Sequence, residues 1–308
     1  MKPSFFIAYF IALVLPIAQP MEEPDRLTIT HQGEIIATID RENFSLPFTG
    51  TPLINMEKLD RLVEELDQQI YMEPVNATIN DQEEIDPGQL GYGLDKKAFK
   101  KQFYAYFIES KSATLEVPVL EIYPKVDSEL LANVRMQKIG QYVTYFNANN
   151  QNRTHNIQLS AEAVDNYVIF PNEIFSFNEV VGERTVERGY KRSTVIVKGE
   201  LAEDVGGGIC QVSSTLFNAV DGAGLEIVER YAHSRRVKYV PPGRDATVSW
   251  HGPDFRFQNM YNQPILIRSK RYEGTVVITL HSSDVINYDS RSVPKAPTKI
   301  PEEESAGD

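Results

Sequence analysis

Three side-chain types that together make an activated nucleophile stand in order along one stretch of this chain. Cys210, the single cysteine, follows Gly206-Gly-Gly-Ile209; His233 lies within Arg230-Tyr-Ala-His-Ser-Arg-Arg236; Asp245 lies within Pro241-Pro-Gly-Arg-Asp-Ala-Thr-Val248. A thiolate attacks carbonyl carbon, an imidazole takes and returns the proton, and a carboxylate fixes the imidazole's orientation. The order on its own does not bring the three together. Lone cysteines are more often small buried apolar side chains. On that alternative Cys210 is structural, a packed corner in a protein that binds and does no chemistry.

The elements around these residues favour the reactive reading. Val212, Leu216, Ala219, Val220 and Ala223 recur on one helical face, and Gly224 is placed to stop the helix. Cys210 then sits at a helix start, where unpaired amides and the positive end of the dipole lower a thiol's pKa. Gly206, Gly207 and Gly208 permit positive φ and let a substrate approach the backbone. With Gln211, Ser213 and Arg244 they are the candidate binding residues. Ser213 and Ser214 fall on the first helical turn, as polar residues there or as contacts to a neighbouring strand.

Other chemistries find little support. His31, His155, His251 and His281 are scattered and no HxxH or CxxC spacing occurs, so no metal site is expected. The triple glycine lacks the lysine and serine of a phosphate loop, and no cofactor is expected. A net charge of −12 without a basic stripe argues against nucleic acid as partner. The one basic cluster, Arg235, Arg236 and Lys238 with Arg244 nearby, reads as a solvated rim. Trp250 and Phe255 to Phe257 have the chemistry to stack on sugar, but a sheet core accounts for them more simply.

The 308 residues are enough for two domains of ordinary globular composition. Lys2, the apolar run Phe5 to Ala18 and the polar Met21-Glu-Glu-Pro-Asp25 predict an export signal over residues 1–20. Ile17-Ala-Gln-Pro20 is a poor cleavage site, so an uncleaved anchor is the other reading. Any membrane contact is expected through this segment only. Residues 26–126 read as an α/β module: a hairpin around Gln32-Gly33, an amphipathic helix from Met56 to Ile70 capped by Asn55, a strand from Val75 to Ile79, a second helix carrying Phe99, Phe103, Tyr106 and Phe107, and a strand from Leu115 to Ile122. Residues 127–289 form the second domain. Strands are expected at Ile139–Phe146, Thr194–Val197, Leu225–Val228, Val237–Val240, Ala246–Trp250 and Phe255–Phe257, a helix at Leu159–Asn166, an extended piece at Ile174–Asn178, and a closing hairpin around Glu273-Gly274. Residues 290–308, rich in proline and charge, predict a disordered tail. The fold class is therefore α+β, with the Cys210 helix packed on a largely antiparallel sheet.

Several of these stretches also carry a resemblance. Pro171-Asn-Glu-Ile-Phe-Ser-Phe-Asn178, Val181-Gly-Glu-Arg-Thr185, Gly189-Tyr190, Gly206-Gly-Gly-Ile-Cys-Gln-Val-Ser-Ser214, Leu216-Phe-Asn218, Ala232-His-Ser234 and Tyr239-Val-Pro-Pro-Gly-Arg-Asp-Ala-Thr-Val248 make Ile139–His281 similar to the VanW family. The segment from Pro47 to Val126 resembles the peptidoglycan-binding module that accompanies such domains. The resemblance implies an envelope protein of Gram-positive type, acting in wall maintenance or synthesis, with peptidoglycan or a wall precursor as ligand and wall-synthesis proteins as partners. It names no reaction. Cysteine, helix, histidine and aspartate in this order also look like a compact transglutaminase or papain-like arrangement, which would make Cys210 the nucleophile of acyl transfer or amide hydrolysis. A non-catalytic peptidoglycan-binding accessory is the alternative.

Overall fold

A computed structural model describes residues 25–46, 53–109, 111–197 and 199–299. The export segment expected over residues 1–20 and the last part of the expected tail lie outside the described residues. Among the described residues no helix is long and apolar enough to cross a membrane. The chain is α+β and forms two compact units, but no single cut separates them: residues 25–73 and 91–122 belong to the first, and 74–90 with 123–299 to the second.

In the first unit β1 (Arg26–His31) pairs antiparallel with β2 (Glu34–Asp40) and parallel with β3 (Ala113–Glu116). Helix α1 (Met56–Ile70) starts at Asn55, whose side chain accepts from Lys58 N–H, and buries Leu59, Leu62, Val63, Leu66 and Ile70. Asp95 caps α2 (Lys96–Glu109) by accepting from Ala98 N–H. Its aromatic stripe is core packing: Phe99, Phe103, Tyr106 and Phe107 join the α1 leucines in one apolar cluster. The single strand expected at Leu115–Ile122 is interrupted. Val117-Pro118 separates Ala113–Glu116, which pairs with β1, from Val119–Ile122, which pairs with Gly91–Leu94, as a proline without an N–H would impose.

The second unit begins with α3 (Ser128–Val134), capped by Asp127, and β4 (Gln137–Tyr145). Then come α4 (Gln151–Val164), β5 (Tyr167–Ile169), β6 (Ile174–Ser176), α5 (Phe177–Val181), the hairpin β7 (Arg192–Val197) and β8 (Glu200–Val205), and α6 (Ile209–Gly222). Strands β9 (Glu226–Glu229), β10 (Arg256–Gln258), β11 (Ile265–Tyr272) and β12 (Thr275–Ser282) complete it. The main sheet is antiparallel, in the order β4-β12-β11-β5, and α6 lies against β4 and β12. A smaller antiparallel sheet runs β6-β10-β9. Eleven of the fourteen α6 residues are buried, so the helix carrying Cys210 is the axis of this unit's core.

Residues 74–90 are sewn onto the second unit by polar contacts. Asn166 exchanges hydrogen bonds with Ile79 through N–H (2.8 Å) and C=O (3.1 Å), and Ala77 N–H donates to Val126 C=O. Buried Arg268 meets Asp165 at 3.0 Å, Glu83 at 3.3 Å and the Ile79 carbonyl. Residues 290–299, expected to belong to a disordered tail, instead pack at the C-terminal end of α6 and on Tyr142 of β4. Arg291 N–H donates to Gly222 C=O, its guanidinium meets Asp221, Tyr142 Oη donates to Pro294 C=O, and Val293 and Ala296 pack on the core. Proline-rich composition removes regular structure here, not contact. Segments 237–240 and 246–250, expected as strands, are irregular apart from one Tyr231–Thr247 bridge. Their alternation reflects burial of Val237, Val240, Ala246 and Val248.

Candidate active site

Three features fix the Gly206-Gly207-Gly208 turn. Gly208, the residue before α6, has φ +111°, a backbone that side-chain-bearing residues rarely adopt. Gly207 passes so close to β7 that a Cβ would meet Thr194 O at 2.6 Å and Ser193 O at 2.7 Å. The third is Asn156 on α4, fully buried: its Nδ2 donates to Gly207 C=O and Lys191 C=O, and its Oδ1 accepts from Lys191 N–H. From this turn Cys210 enters the first turn of α6 with its side chain half-buried.

The structure brings Cys210, His233 and Asp245 together. Asp245 Oδ2 accepts from His233 Nδ1–H at 2.7 Å and from His233 N–H at 2.6 Å. That fixes the tautomer and leaves Nε2 for the neighbouring Cys210 sulfur, with which the imidazole interacts electrostatically. The His233 and Asp245 side chains are only 6% and 9% exposed. Burial opposes charge on all three groups and is the largest single effect on each, but the partners outweigh it. The His233 hydrogen bond and charge, with the Val248 backbone and the Thr247 hydroxyl, bring the Cys210 thiol below its ordinary value. Asp245 and the Cys210 sulfur push His233 up to about 9, and His233 holds Asp245 below the usual carboxylate range. The Cys210 and His233 shifts both run in the direction that favours a thiolate beside an imidazolium.

This pair opens onto a cleft of about 880 Å³ walled by the β7–β8 hairpin, the glycine turn, the 235–239 segment and the loop with Trp250 and His251. Trp250 is exposed at the cleft, whereas Phe255 and Phe257 are core. Gly206, Gly207 and Gly208 line it. The other expected binding residues have their polar groups committed to the frame. Gln211 is fully buried, donating to Thr144 Oγ1 and Tyr145 C=O and accepting from Arg153. Ser213 and Ser214 donate to the Cys210 and Ala246 carbonyls, and Ser214 Oγ accepts from Ala246 N–H, so α6 grips the residue next to Asp245. Arg244 donates to Asn218 and Asp221 and stacks over Phe217, 4.7 Å from the ring centre.

Residues the sequence reading passed over complete the site. Asn156 falls in the polar first turns of α4, where the apolar periodicity used to draw the helix from Leu159 has not yet begun. Arg184 lines the cleft with its stem against Gly206, one nitrogen donating to Asn178 Oδ1 at 2.8 Å and its guanidinium 5.9 Å from the Phe177 ring centre. Among the described residues no cluster of His, Cys, Asp and Glu could hold a metal ion.

Known proteins share both halves of the chain. Residues 152–281 match the family described as "VanW like protein", and residues 26–116 match "Putative peptidoglycan binding domain". Over 290 residues, 94% of this chain and 96% of the relative, the sequence is 62% identical to a Bacillus subtilis (strain 168) protein described as uncharacterized protein YoaR. Over 116 residues, 35% of this chain and 42% of the relative, it is 32% identical to the Vancomycin B-type resistance protein VanW of Enterococcus faecalis (strain ATCC 700802 / V583). No solved structure gives a match. The two matched domain types associate the chain with the cell wall, the N-terminal one with peptidoglycan.

Proposed function

The chain belongs to the VanW-like family, and from that premise we propose that it is a cell-wall enzyme in which Cys210 attacks an amide carbonyl of peptidoglycan, in hydrolysis or in acyl transfer. The observation that carries this reading is the His233–Asp245 hydrogen bond beside the Cys210 sulfur at the wall of a cleft. The Cys210 sulfur forms a bond to the carbonyl carbon, and the carbonyl electrons move to oxygen. The Cys210 N–H at the start of α6 is the candidate donor to that charge, since the Ile209 and Gln211 amides on either side already donate to the Gly206 and Gly208 carbonyls. His233 imidazolium gives its proton to the departing nitrogen as the C–N bond breaks, leaving a thioester on Cys210. Neutral His233 then takes a proton from water or an acceptor amine, which attacks the thioester and releases the thiolate. Asp245 keeps the ring in the tautomer both steps need. The first domain holds the enzyme to its polymeric substrate. On this reading the folded body works outside the cytoplasm, exported by the N-terminal segment and either released or tethered by it. Intact-mass analysis of the membrane and culture-fluid fractions distinguishes the two.

The test is incubation of purified peptidoglycan with the protein and with its Cys210→Ser variant, the soluble fragments being resolved by mass. The wild type is expected to change the peptide pattern, and the variant to bind the wall without changing it. An unchanged pattern together with a native thiol that resists iodoacetamide leaves the non-catalytic binding reading in its place.

A further inference from the structure

Five of the residues lining the cleft are cationic, Arg153, Arg184, Arg235, Arg236 and Lys238, against two carboxylates, Glu183 and Asp204. This reverses the sign of a chain whose net charge is −12. Exposed Arg235, Arg236 and Lys238, read from the sequence as a solvated rim, form one wall of the cleft.

Arg184 makes the bias specific. Its guanidinium is partly withdrawn from water, and among the described residues no carboxylate lies within ion-pair distance of it. The amide oxygen of Asn178 is its neutral partner, and Nη1 is shut off from solvent without an acceptor. Burial lowers its pKa, the sign of a desolvated cation, and the Cys210 sulfur contributes to its electrostatics. The Asp254 carboxylate and the Cys210 sulfur favour the cation at longer range, but a withdrawn guanidinium whose Nη1 has no acceptor is costly unless an anion completes it. Asn178 is itself pinned, donating to the Ser249 and Pro253 carbonyls and to Asp254 through its own N–H. The arginine is therefore held by a built frame.

We propose that the cleft selects acyl donors bearing a free carboxylate close to the amide that Cys210 attacks, and that Arg184 is the residue that binds this carboxylate. The inference rests on the acyl-transfer reading above. A thiolate–imidazolium pair acts on carbonyl carbon, so the matching anion is an acidic peptide, such as a γ-linked glutamyl peptide with its α-carboxylate free. A phosphate polymer offers charge without the amide.

The test uses the full chain and two alkylating agents that differ by one charge, iodoacetate and iodoacetamide. For each, the rate at native Cys210 is divided by the rate at the denatured chain. The iodoacetate ratio is expected to exceed the iodoacetamide ratio by about tenfold or more, the value of one charge-assisted contact. The excess should shrink in high salt and in Arg184→Gln. γ-Glutamyl-alanine should protect Cys210 from iodoacetamide, and its diamide should not. If Arg184→Gln fails to fold, the dipeptide against its diamide on the wild-type chain decides the same point. Equal ratios, or equal protection by the diamide, overturn the inference. So does an Arg184→Gln variant that slows both reagents alike, because the arginine then serves the thiol alone. Protection by inorganic polyphosphate but not by the dipeptide assigns the charge to a phosphate polymer instead. These outcomes are separate from failure of the acyl-transfer reading, which a native thiol inert to iodoacetamide would signal.

Discussion

The Cys210–His233 pair has a pH signature that distinguishes attack from catalysis. Attack needs the thiolate, whose pKa is depressed, so alkylation by iodoacetamide should reach its plateau at lower pH than in the denatured chain and should have no alkaline decline. Catalysis also needs the imidazolium as proton donor, and His233 loses that proton as pH rises through about 9. Turnover should therefore rise with the thiolate and fall again near pH 9, while labelling stays on its plateau. His233→Ala removes the partner cation but leaves the burial that opposes charge. Its labelling midpoint should move to higher pH, and once that midpoint lies above neutrality the rate at pH 7 should fall about tenfold for every further pH unit it climbs. Asp245→Asn keeps the shape and removes the charge that orients the ring. Turnover should fall about 10²–10⁴-fold, and labelling less, because labelling requires no proton donor. At this scale the sequence was informative: Cys210, His233 and Asp245 were legible from type and order. Gln211 lines the cleft with its amide held by the frame, whereas Ser213 and Arg244 face the frame alone, and a polar side chain beside a nucleophile looks the same in sequence in either place. Arg184 stands within the Val181–Thr185 stretch of the resemblance, but a buried Nη1 without an acceptor leaves no mark in sequence.

Among the elements, the glycine turn and α4 position the thiol. Gly207→Ala places a methyl within 2.7 Å of two β7 carbonyl oxygens, and overpacking of this kind costs about 1–3 kcal/mol. Because the turn leads straight into Cys210, the variant should melt earlier and lose its low-pKa labelling while still folded, measured by thermal unfolding and iodoacetamide kinetics together. Asn156→Ala leaves the Gly207 carbonyl and the Lys191 N–H without their buried partner, at about 1–3 kcal/mol for each group so stranded. Regular elements with apolar periodicity, α1, α2, α6 and the β11–β12 hairpin, were legible from sequence. The first turns of α4 were not, since their inward face is polar, and β8 was not, since Glu200-Leu-Ala-Glu-Asp-Val205 lacks the β-branched signal. Segment 246–250 shows the converse failure, an alternating pattern whose backbone bonds go to side chains of α6 and to one bridge.

At the scale of the molecule, the division into units sets what can be cut. A fragment from Asp127 to Asp289 discards Ala77 and Ile79, both buried against Leu131, Val134 and Leu266, and removes Glu83 from Arg268 and Asp81 from Lys270, leaving Asp165 to both. Burying one such isoleucine contributes about 2 kcal/mol. We expect a chain in which residues 74–90 are linked directly to 123–289 to melt about 4–8 °C above the 123–289 fragment. Equal melting temperatures would mean that residues 74–90 add nothing to the second unit. This excursion was not legible in the sequence because Val75–Ile79 reads as one more short strand of the region that surrounds it. Its allegiance is decided by Asn166 and Arg268, about ninety and one hundred and ninety positions away.

The solitude of Cys210 governs how the site meets oxidants. It is the only cysteine in the chain, and the environment that makes it nucleophilic also makes it prone to peroxide. A sulfenic acid formed there has no second cysteine in this chain to close a disulfide. It must be recovered by a small thiol from outside or pass on to sulfinic acid, which is not reversed. Peroxide treatment should therefore add about 16 and then about 32 mass units to the intact protein at this sulfur, and Cys210→Ser should lack that series. With an external thiol present during exposure, the same sulfur should instead carry a removable mixed disulfide.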